Sequence, residues 1–95
     1  MRKLYVVTYD ISSPKRWRHV FKIMKGFGQH IQLSVFRCDL TEAERLQLEA
    51  ALKDEIDASE DQVLFVDLGP SDGRRHLVSA IGRPTSAERR GAKIL

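Results

Sequence analysis

Asp10 is the only acidic residue among the first 38 positions, and it closes an apolar run just before Ser12-Ser13-Pro14 and a basic segment. A carboxylate in that setting can take a hard divalent cation such as Mg2+, or Mn2+ in its place, which prefers oxygen ligands and retains several waters. A cation held there can bind a phosphate oxygen and promote phosphodiester hydrolysis. The same position also allows Asp10 to pair with Arg16 or Arg18, or to cap the following helix near Ser12. A single carboxylate makes a poor metal site. A two-fold dimer that brought two copies of Asp10 together would cure that weakness.

Other reactive residue types lack partners at useful spacing. His19, His30 and His76 are not spaced as zinc ligands, and Cys38 has no second cysteine, which argues against a structural zinc site and against an internal disulfide. Ser34 has no evident His/Asp partner for nucleophilic chemistry. Gly26-Phe27-Gly28 follows a helical segment and lacks the Lys-Ser/Thr of a phosphate loop. Trp17 and Phe36 could stack bases, but both sit in apolar patterns that fit a core.

These residues must be positioned by a chain of 95 residues and 10.9 kDa, enough for one domain with one core. Leu4 to Ile11 reads as a strand buried on both faces. Ser13 is a suitable N-cap, with Pro14 at the first helical position. Trp17, Val20, Phe21, Met24 and Phe27 then form the stripe of an amphipathic helix, which Gly26 and Gly28 stop. Gln29 to Leu40 reads as one long strand or two short ones, with no Gly or Pro to mark a turn. Thr41 and Glu44 match a capping box that opens a second helix, expected to run to about Asp57. Gln62 to Leu68 is a further strand, Gly69-Pro70-Ser71-Asp72-Gly73 a turn, and His76 to Ile81 a weaker last strand.

This order predicts an α+β sandwich of ferredoxin-like type. Two helices cover only one face of such a sheet. Strands apolar on both faces therefore favour a homodimer packed sheet to sheet. Residues 1–82 are expected to form the domain and residues 83–95 a basic C-terminal tail.

The net charge of +3 conceals three blocks: +7 over residues 1–37, −8 over 38–67 and +4 over 68–95. Such segregation is compatible with a nucleic-acid partner and equally with a set of solvated helix faces, and charge alone does not decide between them. No apolar run reaches the roughly 18–20 residues of a membrane span. The early acid at Asp10 is unlike a secretory leader, and the lone cysteine fits a reducing cytoplasm.

The chain resembles the small CRISPR-associated adaptation proteins of the Cas-two family. The likeness rests on Tyr9-Asp10-Ile11-Ser12, Arg16, Phe27-Gly28, Gln32-Leu33-Ser34-Val35-Phe36 and Glu60-Asp61-Gln62-Val63, in order and at the expected gaps. It implies a ferredoxin-like βαββαβ fold with an extra C-terminal strand that crosses to the partner of a symmetric homodimer, and two strands within Gln29–Leu40. It also implies a protein that binds duplex DNA beside the CRISPR integrase during spacer acquisition. A Mg2+-dependent endonuclease activity on RNA or DNA is implied as well. Asp10 then matches the family's metal ligand and catalytic residue, with Tyr9, Arg16, Ser34 and Phe36 in the same region.

The chain departs from the pattern where Trp17 separates Arg16 from Arg18, and where Arg37 replaces the acid that commonly follows Ser-Val-Phe. Arg37 adds to the positive block, and Lys15, Arg16, Arg18, Lys22 and Arg37 are the expected phosphate contacts. The adaptor role is the favoured reading, with hydrolysis beside it. A toxin-type metal-dependent endoribonuclease on the same fold is the alternative.

Overall fold

The computed structural model describes residues 1–71, 78–83 and 93–94. Strand β1 (Arg2–Asp10) leads to helix α1 (Pro14–Lys25), and the hairpin of β2 (Gln29–Gln32) and β3 (Val35–Thr41) follows. Helix α2 (Glu42–Glu55) and strand β4 (Gln62–Pro70) complete the main unit. The four strands form an antiparallel sheet in the order β2-β3-β1-β4. This is the ferredoxin-like βαββαβ arrangement expected from the sequence.

Local chemistry explains the element ends. The Ser13 side chain accepts from the Arg16 N–H, and Pro14 opens α1 without sacrificing a helix hydrogen bond. Thr41 and Glu44 form the reciprocal capping box of α2. The second helix ends at Glu55, two residues short of the expected Asp57. Gly28 is required by a close approach: a Cβ there would lie 2.4 Å from Cys38 Sγ and 2.7 Å from the Arg37 carbonyl oxygen.

Residues Gln29–Leu40 divide into two strands although no glycine stands between them. Leu33 makes the turn by adopting a φ of 38°, in the left-handed region. The turn is fixed from outside: Tyr9 N–H donates to the Ser34 carbonyl at 3.1 Å, and Trp17 Nε1 donates to Ser34 Oγ at 2.8 Å.

Both helices lie against one face of the sheet. Tyr5, Val7 and Tyr9 of β1 and Phe36, Cys38 and Leu40 of β3 point into that layer. They meet Val20 and Met24 of α1 and Leu48 and Leu52 of α2, all buried. Alternation therefore sends Val6, Thr8 and Asp10 of β1 to the other face, with Val35 and Arg37 of β3 and Leu64 and Val66 of β4. The register aligns Val35, Thr8 and Leu64 in one row and Arg37, Val6 and Val66 in the next. No helix among the described residues covers this face, and Leu64 and Val66 are 49% and 47% exposed.

Of the expected last strand, His76 and Leu77 lie outside the described residues. Strand β5 (Ser79–Ala80) pairs in parallel with β6 (Lys93–Ile94), apart from the main sheet. The rest of the tail also lies outside the described residues.

Candidate metal and nucleic-acid site

Asp10 is the last residue of β1, exposed on the uncovered face, with Gln62 of β4 as its register partner. Its side chain makes no hydrogen bond or ion pair among the described residues. Two alternatives raised by the sequence are thereby corrected. The N-cap of α1 is Ser13, and the carboxylate that binds Arg16 is Asp61.

The Asp61 side chain is 0% exposed, and it gathers three chain segments. Arg16 Nε donates to Oδ2 at 2.8 Å and Arg16 Nη2 to Oδ1 at 3.2 Å. The N–H of Ser12 donates to Oδ1 at 3.0 Å, its hydroxyl lies 3.3 Å from the same oxygen, and the N–H of Asp57 donates to Oδ2 at 2.9 Å. Hydrogen bonding from Arg16, helped by these backbone donors, holds the Asp61 carboxyl well below the usual carboxylate range. The same contact pushes the Arg16 guanidinium further up. Glu60 takes a second bond from Arg16 Nη2, at 3.1 Å. Sequence reasoning placed Glu60-Asp61 only within the Glu60-Asp61-Gln62-Val63 motif and gave neither acid a role. Nothing in the local pattern shows that a residue 45 positions away supplies its counter-charge.

Tyr9, Ser34 and Phe36 surround the root of this corner from the helix side. Tyr9 packs on Trp17 and Phe36 with ring centroids 6.1 and 6.2 Å apart, and Phe36 is fully buried. Burial pushes the Tyr9 phenol up to about 12. Ser34 approaches its hydroxyl without completing a hydrogen bond of good geometry. The Ser34 hydroxyl instead accepts from Trp17. These three residues thus support the strand that ends in Asp10 and do not join its carboxylate.

The expected cationic residues separate into distinct groups. Lys15, Arg18 and Lys22 are exposed on α1. Their 15, 18, 22 spacing places them on one stripe, opposite Val20 and Met24. None of the three has an ion pair among the described residues. Arg16, on the flank of the same helix, is engaged by Asp61 and Glu60. Arg37 lies across the sheet on the uncovered face and donates to Gln29 Oε1.

The fit to a divalent cation follows from the donors. Asp10 offers a hard oxygen donor free of any competing cation among the described residues. No group of three or more His, Cys, Asp or Glu that could enclose a metal occurs among those residues. One chain therefore supplies a single carboxylate, which suits Mg2+ that keeps most of its waters, and two chains facing each other would supply a pair.

The same architecture recurs in known proteins. The sequence profile of the family described as CRISPR associated protein Cas2 matches residues 2–75. A CRISPR-associated endoribonuclease Cas2 of Rhodospirillum rubrum is 46% identical over 91 residues, covering 96% of this chain and 89% of that protein. One from Geobacter sulfurreducens is 46% identical over 83 residues, 87% of each chain. The crystal structure of Streptococcus pyogenes Cas2 at pH 6.5 superposes with a TM-score of 0.65 and 39% identity, covering 70% of this chain and 86% of that one. With the fold and this extent of identity together, the chain belongs to the CRISPR-associated Cas2 family.

Proposed function

We propose that the chain acts as a homodimer that holds duplex DNA for a CRISPR integrase during spacer acquisition, and that its paired Asp10 residues support Mg2+-dependent phosphodiester cleavage. One observation carries the reading: among the described residues, the Asp10 carboxylate has no partner and stands at the edge of an apolar sheet face that no helix covers. Packing that face against a second copy would bury Val6, Val35, Leu64 and Val66, the kind of contiguous apolar surface that soluble proteins seldom leave open. The same operation sets Asp10 at the seam, where a two-fold axis can approximate it to its mate.

Lys15, Arg18 and Lys22 face solvent on the opposite side of each protomer, so they remain available to a phosphate backbone after dimerisation. Such contacts fix a duplex without reading its sequence, as an adaptor requires. The acidic α2, with Glu42 and Asp54, repels the duplex and confines its path to the α1 side. Arg16 contributes little to that grip, because Asp61 and Glu60 already neutralise it. Arg37 faces the seam.

For cleavage, Asp10 and its mate would hold Mg2+, with phosphate oxygens and water completing the shell. The cation when bound supplies Lewis-acid polarisation of the phosphodiester. The chain's own part is to present the carboxylates at the strand ends, with no competing cation among the described residues. The endoribonuclease names of the relatives support RNA as a substrate for this chemistry.

The test is cleavage of RNA and duplex DNA with and without Mg2+ by the wild type and Asp10→Ala, with DNA binding and dimerisation measured on both. Metal-dependent cleavage lost only in the variant, with binding intact, supports both halves of the proposal. Binding without cleavage by either protein leaves the adaptor alone. Equal cleavage by both removes Asp10 from the chemistry.

A further inference from the structure

The buried Asp61 touches the chain that leaves Asp10 and immediately precedes the residue that pairs with Asp10 on β4. Ser12, two residues beyond Asp10, gives Asp61 its backbone N–H at 3.0 Å. Gln62, the residue after Asp61, is the register partner of Asp10 on β4. Asp61 therefore holds the chain leaving Asp10 through a hydrogen bond and the neighbouring strand through its own backbone. Its other bonds reach the first turn of α1 through Arg16 and the end of the α2 connection through Asp57.

Stability alone is a weak reason for such an arrangement. A buried ion pair commonly recovers little more than the cost of desolvating its charges, and a well-packed apolar replacement is often as stable. What a multiply hydrogen-bonded carboxylate provides is a fixed geometry, since every donor must keep its direction. The groups so fixed are the loop and strand ends that frame Asp10, and Asp10 has no side-chain bond of its own among the described residues.

We propose that Asp61 is a positioning residue for Asp10: through Ser12 and Arg16 on one side and Gln62 on the other, it sets where the Asp10 carboxylate meets a divalent cation. This inference rests on the reading of Asp10 as a cation ligand. Asp61 itself does not touch the cation, since its oxygens are occupied by Arg16, Ser12 and Asp57.

The test uses Mn2+ as the probe and the full chain in solution, with the paramagnetic broadening of the Asp10 backbone amide signal giving the affinity. The wild type and Asp61→Asn are compared at a temperature where both give dispersed amide spectra, with Asp10→Asn as the reference. Asp61→Asn is expected to weaken Mn2+ binding about ten-fold or more, the usual effect of removing a group that orients a ligand. Asp10→Asn should abolish the broadening. A folded Asp61→Asn with wild-type Mn2+ affinity overturns the positioning role and leaves Asp10 as a ligand. If Mn2+ does not broaden the wild-type Asp10 signal at all, the ligand reading falls, and the positioning role falls with it. Should Asp61→Asn fail to fold, Arg16→Lys replaces it, keeping the positive charge while losing the paired donors. A several-fold loss of affinity is then expected, and no loss overturns the proposal.

Discussion

Arg16 Nε donates to Asp61 Oδ2 at 2.8 Å, so the arginine nearest in sequence to Asp10, on α1's flank, is held by a different acid, and Asp10 is left without a counter-ion among the described residues. The consequence for pH is definite in sign. The folded-state carboxyl of Asp61 lies below its ordinary value, chiefly through Arg16, so it binds protons less readily folded than unfolded. Its contribution to stability is complete above the unfolded value near 4 and disappears as pH falls through the folded one. Asp57 and Glu44, also lowered, act in the same direction. Urea denaturation between pH 7 and pH 3 should show stability falling on the acid side. Asp61→Asn should be less stable at pH 7 and show a flatter acid limb, whereas an unchanged limb would show that other carboxylates govern acid unfolding.

The uncovered sheet face makes a separate prediction. Leu64 and Val66 are each about half exposed in the protomer, so Leu64→Glu with Val66→Glu should leave the protomer folded. Burying those charges against a second copy without partners would cost on the order of 3 kcal/mol or more. Sedimentation should find the wild type dimeric at micromolar concentration and the double variant monomeric. A wild-type monomer would remove the dimer and its paired Asp10 site, and a variant as dimeric as the wild type would move the interface elsewhere.

How much of this was legible beforehand depended on whether the deciding interaction was local. Ser13-Pro14, the Thr41/Glu44 box and the stripe from Trp17 to Met24 are settled within one helical turn or two, and each stands where the pattern placed it. Which residues of β1 face the helices was obscured, since Leu4 to Tyr9 is apolar but for Thr8 and shows no clean alternation. The turn at Leu33 was invisible because leucine is a poor occupant of positive φ. Contacts from Tyr9 and Trp17 to Ser34, far along the chain, hold it there. Asp10 stood out by its isolation among basic residues. Asp61 did not, because its importance lies in bonds that span 45 and 49 residues. The grouping of Arg37 with Lys15, Arg18 and Lys22 rested on charge blocks, which carry no information about the two sides of a sheet.

Gly28 offers a test of how tightly the hairpin is seated under α1. Its missing Cβ leaves room for Cys38 Sγ and for the Arg37 carbonyl oxygen, at 2.4 and 2.7 Å from where that atom would lie. Gly28→Ala forces one or both to move in a packed interior, and overpacking of this kind costs about 1–3 kcal/mol. Cys38→Ala added to it removes the sulfur clash but not the backbone one. The double variant should therefore show less additional destabilisation from Gly28→Ala than the wild-type background does, without reaching zero. Denaturant melts of the four proteins decide it, and full relief in the Cys38→Ala background would show that the carbonyl contact is not limiting.

The basic stripe of α1 is best tested by salt dependence. Lys15, Arg18 and Lys22 have no ion pair among the described residues, so a phosphate can use each of them without breaking a protein contact. Arg16 would have to leave Asp61 and Glu60 first. Each true phosphate contact contributes about 0.9 to the slope of log affinity against log salt for duplex DNA. Lys15→Gln, Arg18→Gln and Lys22→Gln should each lower that slope by nearly this amount per binding protomer, equally for unrelated duplex sequences. Arg16→Lys should change the slope little while lowering the melting temperature, because its guanidinium serves the Asp61 node. Were the slope instead to fall with Arg16 and stay constant with the other three, the duplex would run along the Asp61 corner and the outer face of α1 would be solvent-facing only.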